Sequence, residues 1–267
     1  MVFGMQQLLY FVVSLCASVA GAICGIGGGV IIKPTLDLFH LASVSTISFL
    51  SSCTVLSMSC YSVVKGMLAH DSKVDLRTGT PLAIGAAIGG IAGQSLFSTV
   101  RAMFQNQNTV GAVQALCLFV ITCGTLIYTL RKQHIRTKEV QSIAACVLIG
   151  VALGVMSSFL GIGGGPINLV VLGFFFSMPT KTAAQNSLYV ILFSQITSLL
   201  STLLTGSVPA FEPLALVLMV IGGIGGGMLG RKLNRRMNNS AVDKLFIVLM
   251  IIIMCISLWN TYRYGLA

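Results

Sequence analysis

Long apolar stretches that contain no charged residue make up most of the chain. A membrane-spanning helix needs about 20 predominantly apolar residues, and eight stretches reach or approach that length. They cover residues 1–32, 41–64, 78–100, 102–130, 140–180, 182–211, 213–230 and 245–262. This pattern predicts an all-α polytopic membrane protein with about eight apolar segments.

Two of these stretches are too long for a single crossing, and both contain the same glycine-rich pentapeptide. As one helix, residues 140–180 would extend roughly 60 Å, twice a hydrocarbon core of about 30 Å. The sequence Gly-Ile-Gly-Gly-Gly occupies residues 25–29 and 161–165. Each glycine in a helix interior costs about 1 kcal/mol relative to alanine. We therefore expect both long segments to break at the pentapeptide and to return as helix hairpins.

The position of the pentapeptides indicates an internal duplication. Their first residues, Gly25 and Gly161, are 136 positions apart in a chain of 267 residues. A second pair of similar sequences, IGGIAG at residues 88–93 and IGGIGG at residues 221–226, supports the same division. We expect two transmembrane repeats that form one integrated domain, with the hinge near residues 131–139. The repeats cover residues 1–134 and 135–267.

The composition excludes a water-soluble protein. Only 8% of the residues are charged and 55% are hydrophobic, whereas soluble domains carry about 25% charged residues. The net charge of +10 comes from 16 lysines and arginines scattered between the apolar stretches. Such scattered charges are typical of loops that obey the positive-inside rule. The expected partner is therefore a lipid bilayer and not a nucleic acid.

The hairpins also account for the distribution of the basic residues. If every apolar stretch crossed once, the 16 lysines and arginines would divide evenly between the two sides. If the two glycine-broken segments return to the side of entry, only Lys33, Arg101 and Arg263 face away from the other 13. The positive-inside rule favours this second arrangement. Each half then crosses an odd number of times, so we expect inverted repeats, as in secondary transporters.

A small anion is the ligand that the two breaks favour. The residues after each pentapeptide predict a short apolar helix, and the free N–H groups at a helix N-terminus attract negative charge. Glycine leaves room for an anion to reach the backbone, so we expect a binding site between the breaks near the midplane. Its glycines would be Gly27, Gly28, Gly29, Gly163, Gly164 and Gly165. The alternative is close helix packing through small residues, which we favour for residues 85–93 and 222–230.

Polar side chains in two of the other apolar stretches are further candidates for the site. Ser48 and Ser52 lie on a serine-rich face of the segment 41–64, and the segment 182–211 begins with polar residues. We expect Gln185, Asn186 and Ser187 to donate hydrogen bonds to the substrate together with the two serines. The alternative is that these side chains bond carbonyls of their own helix or join neighbouring helices.

Lys33 and Asp37 are four residues apart on the first short helix. The matching positions after the second break, Leu169 and Gly173, are uncharged. Ionisable residues inside a membrane are functional in most cases. Because the pair is close to a helix end, however, we expect both side chains to reach the membrane interface.

The paired motifs GIGGGVIIKP (residues 25–34) and GIGGGPINLV (residues 161–170), in a chain of about eight apolar segments, resemble the sulfite exporter TauE/SafE family. The resemblance implies a permease or exporter of the plasma (cell inner) membrane for small anions such as sulfite, sulfonates or thiosulfate. We expect no cofactor. A proton or sodium ion as the coupling ion and a homo-oligomer are compatible with it. The alternatives are a cation or metal transporter and an anion channel. The sequence contains no recognisable catalytic constellation, so we expect no enzyme.

Overall fold

The structure, a computed structural model, describes residues 2–39, 41–69, 73–104 and 107–266. All regular elements of this part of the chain are helices. They are α1 (Val2–Cys24), α2 (Gly29–Leu38), α3 (Val44–Leu68), α4 (Leu76–Met103), α5 (Gln107–Arg131), a 3₁₀ turn (Lys132–His134), α6 (Ile143–Leu160), α7 (Pro166–Phe176), α8 (Thr180–Leu204), α9 (Pro213–Arg236) and α10 (Asn239–Leu266). Eight of these helices are long and apolar enough to cross a membrane. The predicted all-α polytopic fold is therefore confirmed.

The pentapeptides separate a long helix from a short one in each half. Gly25, Gly27, Gly161 and Gly163 have φ angles between +63° and +73°, a left-handed conformation that residues with a side chain rarely adopt. A right-handed helix cannot continue through such residues. Accordingly α1 ends before the first pentapeptide and α6 before the second, and α2 and α7 are only 10 and 11 residues long.

Each short helix runs back towards the start of the long helix before it. The hydroxyl of Tyr10 in α1 donates to Leu41 O, just beyond α2, over 3.3 Å. In the second half, Lys138 N and Val140 N, which precede α6, donate to the carbonyls of Phe174 and Phe175 in α7 over 2.7 and 2.9 Å. Both glycine-broken segments therefore begin and end on the same side of the molecule.

Helices α3 and α8 are the most buried of the eight long helices, and glycines bring two outer helix pairs into close contact around them. Three glycines of α4 lie against carbonyl groups of α6, and three glycines of α9 lie against residues of α1. A Cβ atom at any of the six would meet the facing helix at less than contact distance. The glycines are Gly85, Gly89, Gly93, Gly222, Gly226 and Gly230. These runs act in helix packing.

The helix contacts follow the order of the two halves. Helix α4 packs against α6 and α8, and α9 packs against α1 and α3. Helix α2 contacts α10 as α7 contacts α5, while α3 meets α8 and α5 meets α10. If α1 to α5 are matched in order with α6 to α10, each of these contacts of α4 has an equivalent contact of α9, and that of α2 has an equivalent contact of α7. The contacts of α3 with α8 and of α5 with α10 each join two equivalent helices. The halves interlock and share one core.

Basic residues from several segments lie at one end of the helices, which we call the basic face. Lys132, after α5, forms an ion pair of 2.6 Å with Asp243 at the start of α10. Lys181 at the start of α8 donates to Met237 O after α9 over 2.7 Å. The other end, which we call the opposite face, contains Gln7, Thr46, Ala210, Glu212 and Arg263.

Candidate functional site

The two glycine breaks contact each other through their backbones. A Cβ atom added at Gly27 would lie 3.3 Å from Gly163 O in the other half. A Cβ atom added at Gly29 would overlap the carbonyl group of Ile162. Because backbone atoms cannot move aside as a flexible side chain can, only glycine allows this approach at Gly29.

The contact between the breaks lies at mid-depth of the two central helices. A Cβ atom at Gly163 would lie 2.9 Å from Cβ of Val55, and one at Gly164 would meet the side chain of Ile191. Val55 is residue 12 of the 25 in α3, counted from Val44, and Ile191 is residue 12 of the 25 in α8, counted from Thr180. Gly163 and Gly164 therefore lie about halfway along helices that are long enough to span the membrane, whereas the first glycine of each break, Gly25 or Gly161, lies nearer a helix end, against Ala184 or Ser48.

The remaining two predicted glycines differ in their surroundings. Gly28 packs against the backbone of Ser18 in α1, and a Cβ atom there would lie 3.1 Å from it. Gly165 precedes α7 in an extended conformation, and the nearest atom to an added Cβ would be Cδ1 of Ile162 at 3.5 Å. No side chain caps the N-terminus of α2 or α7 by a hydrogen bond. The first N–H groups of both short helices are thus left without a side-chain acceptor.

A narrow pocket leads from the opposite face to the second break. Ser48, Ser52, Ser158 and Gly161 line it, and Arg101 contributes from the last turn of α4. Its volume of about 40 Å³ is enough for a few water molecules. Hydroxyl groups and one guanidinium group thus surround a path that ends at the first glycine of the second break.

A second pocket of about 40 Å³ leads inward from the basic face. It is lined by Ala22, which lies three residues before the first break, and by Gln185, Arg231 and Arg235. Nη1 of Arg231 donates to Ser62 O over 3.0 Å and so connects α9 to α3. This pocket ends beside the first break.

The two pockets are lined by residues at matching positions, 136 residues apart, in the two halves of the chain. Three residues of α3 line the basic-face pocket, and the residues 136 positions later in α8 line the opposite-face pocket. The matched pairs are Ser62 and Ser198, Val63 and Leu199, and Gly66 and Thr202. The pockets share no lining residue, and their described linings contain no acidic side chain.

The structure does not bring the predicted polar side chains into one site. Ser48 and Ser52 line the opposite-face pocket, whereas Gln185 lines the basic-face pocket. Gln185 also accepts a hydrogen bond of 2.6 Å from Lys73 N. Ser187 is fully buried in α8, and its hydroxyl group has no hydrogen-bond partner.

Asn186 holds the segment between α3 and α4 in place. Its Nδ2 donates to Lys73 O over 3.1 Å and to Thr182 O over 2.9 Å. Its Oδ1 accepts a hydrogen bond of 3.1 Å from Asp75 N. Both amide protons and the oxygen are therefore engaged with the protein itself.

The expectation that Lys33 and Asp37 reach the interface is wrong. Lys33 is 3% exposed and Asp37 is 6% exposed, because α3, α5, α6 and α10 surround this side of α2. Nζ of Lys33 donates to Ser48 Oγ over 2.8 Å, to Gln114 Oε1 over 2.5 Å and to Leu160 O over 2.9 Å. This lysine of the first half of the chain thus binds the last helical carbonyl before the second break.

Residues that the sequence analysis did not select also belong to this region. Gln195 is fully buried in α8, one turn beyond Ile191, and neither polar atom of its amide group has a partner. The sequence does contain a signal for Gln195, because its amide side chain lies in an apolar stretch between Ser194 and Ser198. Arg101, by contrast, has the same sequence environment as an ordinary loop charge.

In the described ranges there is no group of three or more His, Cys, Asp and Glu side chains that could hold a metal ion. The breaks and the pockets are instead lined by backbone, hydroxyl, amide and basic groups. Hydroxyl, amide and guanidinium groups are hydrogen-bond donors, and guanidinium groups in particular bind oxyanions strongly.

Comparisons with known proteins identify the family. The model of the family described as sulfite exporter TauE/SafE matches residues 10–257. The chain is also similar to a protein of Bacillus subtilis (strain 168) named "Probable membrane transporter protein YunE", with 26% identity over 235 residues, which is 80% of this chain and 84% of that protein. No solved structure matches the chain. The chain is a multi-pass membrane protein and belongs to the sulfite exporter TauE/SafE family of membrane transporters.

Proposed function

We propose that the protein is a secondary transporter for small anions, with sulfur-containing oxyanions such as sulfite, sulfonates and thiosulfate as substrates. One observation carries this proposal. Two pockets, built from matching residues of the two repeats, enter from opposite faces and end at the two glycine breaks without sharing a residue. A transporter that opens alternately to either side needs two such half-pathways, separated by a closed centre.

The charges of the pockets favour an anion as substrate. Arg101 lies in one pocket and Arg231 and Arg235 lie in the other, while neither described lining contains a carboxylate. Arginine is well suited to bind oxyanions, because its planar group presents several N–H donors at fixed angles. A cation would be repelled by these groups and would find no acidic partner.

Neutral donors near the centre would bind the anion weakly enough to release it. Ser52 and Ser158 line the opposite-face pocket beside Ser48, whose hydroxyl donates to Val44 O in this conformation, and the uncapped N-termini of α2 and α7 lie behind the breaks. A hydrogen bond to a charged group contributes about 1.5–3 kcal/mol. A few such hydrogen bonds give useful affinity, and a neutral donor costs less to desolvate in the empty site than a charged one.

In this mechanism the two breaks form the central barrier, and the repeats exchange conformations during the cycle. The anion would bind between Gly27–Gly29 and Gly163–Gly165 when these separate, with Gln185 on one side and Ser48 on the other. Gln195 and Ser187, whose buried polar atoms have no partner, would complete its hydrogen bonds. We assign Asn186 to holding the α3–α4 segment. The basic face would be cytoplasmic, in the plasma (cell inner) membrane.

The test is an exchange assay with purified protein in liposomes. Radiolabelled sulfite, thiosulfate and methanesulfonate are added outside vesicles that contain either no anion or the same unlabelled anion. We expect saturable uptake of at least one of them, accelerated by the unlabelled anion inside, because exchange does not require the empty protein to reorient. Uptake that rises linearly with concentration and is not accelerated would indicate a channel. Uptake of cations in place of all three anions would refute the proposal.

A further inference from the structure

A further polar cavity lies between α2, α5 and α10 and shares no lining residue with the two pockets of the proposed pathway. Its volume is about 10 Å³, which is close to the space of one water molecule. Its polar lining residues are Lys33, Asp37, Gln114, Ser257 and Asn260. Burying an ionisable side chain inside a membrane protein costs free energy, and the ionisable residues found there mark functional sites.

The ammonium group of Lys33 is charged and fully bonded in this conformation. An ammonium group has three N–H donors, and each has an acceptor in Ser48, Gln114 or Leu160. Ser48 Oγ donates its own proton to Val44 O over 2.8 Å, so it can only accept from the lysine. In the described part of the chain, Lys33 forms no ion pair within 4.0 Å.

Asp37 is in surroundings that favour the neutral carboxylic acid. The hydroxyl of Tyr264 donates a hydrogen bond to its carboxyl group, but its Oδ1 is buried and has no partner. Asp37 also lies in the last turn of α2 (Gly29–Leu38), where the helix dipole disfavours negative charge. A proton on Oδ1 would remove a buried negative charge that forms no ion pair within 4.0 Å among the described residues.

The geometry points to Oδ1 of Asp37 as the proton-binding site that couples transport to a proton gradient. This inference rests on the proposed secondary transport. When α2 moves away from α3 and α6, Lys33 loses Ser48 and Leu160 as acceptors. It can then turn to Asp37, which lies four residues later on the same helix face. The O–H bond of the acid breaks, the proton passes to water, and the carboxylate pairs with the ammonium group. The reverse movement restores the acid.

Few other charged or titratable groups face Asp37 among the described residues. Helix α10 contributes Tyr264 and Arg263, whose Nη1 donates to Leu38 O over 3.0 Å, and α1 contributes Tyr10 near the end of α2. The groups of α3, α5 and α6 that bind the neighbouring Lys33 are neutral. A sodium ion would bind poorly in this cavity, because the ammonium group of Lys33, which lines it, repels a cation. The matching positions of the second repeat are Leu169 and Gly173, so one proton per cycle is expected.

The experiment separates coupling from transport. Wild-type protein, Asp37→Asn and Asp37→Glu are placed in liposomes with the membrane potential clamped by potassium and valinomycin. Thiosulfate and methanesulfonate are the probes, because both keep their charge at neutral pH. Glu139→Gln is the matched control, since Glu139 is an exposed acidic residue. Accumulation under a pH gradient and anion exchange without a gradient are both measured.

A gradient of one pH unit supports at most about tenfold accumulation for one proton per cycle. We expect accumulation towards that limit for the wild type, Asp37→Glu and Glu139→Gln. Asp37→Asn should still exchange the probe but should accumulate none. Accumulation by Asp37→Asn like the wild type, accumulation driven by sodium, or equal loss of exchange in Asp37→Asn and Asp37→Glu would overturn the inference. Absence of exchange in the wild type would instead refute the proposed function.

Discussion

The contact between the two glycine breaks can be tested with one added methyl group. In Gly29→Ala, the new Cβ atom would overlap the carbonyl of Ile162 and would lie 2.8 Å from Ser51 Oγ. Gly29 has no left-handed φ angle, so the substitution adds a steric contact without backbone strain. Gly165→Ala is the matched control, because the nearest atom to its Cβ would be 3.5 Å away and its extended backbone suits alanine.

The expected effect follows from overpacking. Extra methyl groups in a packed core typically cost about 1–3 kcal/mol, and the carbonyl of Ile162 is backbone that cannot rotate away. Both variants gain about 0.4–1 kcal/mol from the stiffer unfolded chain, so the difference between them isolates the contact. At about 2–4 °C per kcal/mol for a chain of this size, Gly29→Ala should unfold roughly 2–12 °C below Gly165→Ala.

Thermal unfolding of the purified variants in detergent measures this difference, and sulfite, thiosulfate and methanesulfonate exchange in liposomes measures its effect on transport. We expect Gly29→Ala to slow exchange as well, because the two breaks can no longer close against each other. Equal unfolding temperatures for the two variants would show that the breaks do not pack as described. A lower unfolding temperature with normal exchange would show that they pack but do not form the barrier.

Three further predictions concern single sites. Gly223→Ala should lower the unfolding temperature, because its Cβ would lie 2.8 Å from the carbonyl of Thr54 in the helix-packing region. The affinity of the folded protein for its anion should not change. A change in affinity would contradict a role in packing alone. Asn186→Ala loses three hydrogen bonds, each of which contributes about 0.5–1.5 kcal/mol. Calorimetry should therefore show a lower stability of the variant. Reduced anion affinity without a loss of stability would instead place Asn186 in the binding site. Single cysteines at Lys138 and Asn238, in a background without other cysteines, should both resist an impermeant maleimide in intact cells, and labelling of only one would refute the hairpin arrangement.

The hydrophobic pattern by itself determined the membrane fold. Eight apolar segments, the scarcity of charge and the repeated pentapeptide are local properties, because a helix that spans a bilayer must satisfy its own backbone and present apolar side chains. The helix breaks could be predicted in the same way. Four glycines in five residues weaken any helix, and the helices break at both pentapeptides in the structure, although Gly29 already begins α2.

Only the tertiary structure decided where the polar residues lie. Ser48 and Gln185 occupy similar places in the two repeats, yet they line pockets on opposite faces. Asn186 is bound to a segment more than one hundred residues earlier. Such long-range partners leave no periodic signal in the sequence, so the sequence predicted polar side chains for a site without showing which of them meet.

The position of Lys33 shows the physical reason most clearly. Its place near the end of a short helix predicts a side chain that reaches water, which is the least costly arrangement for a charged residue on a single helix in a membrane. In the folded protein, α3, α5 and the end of α6 supply three hydrogen-bond acceptors, and these offset the free-energy cost of burying the ammonium group. The sequence determines which residues carry charge, but the surrounding helices decide whether that charge is solvated by water or by the protein.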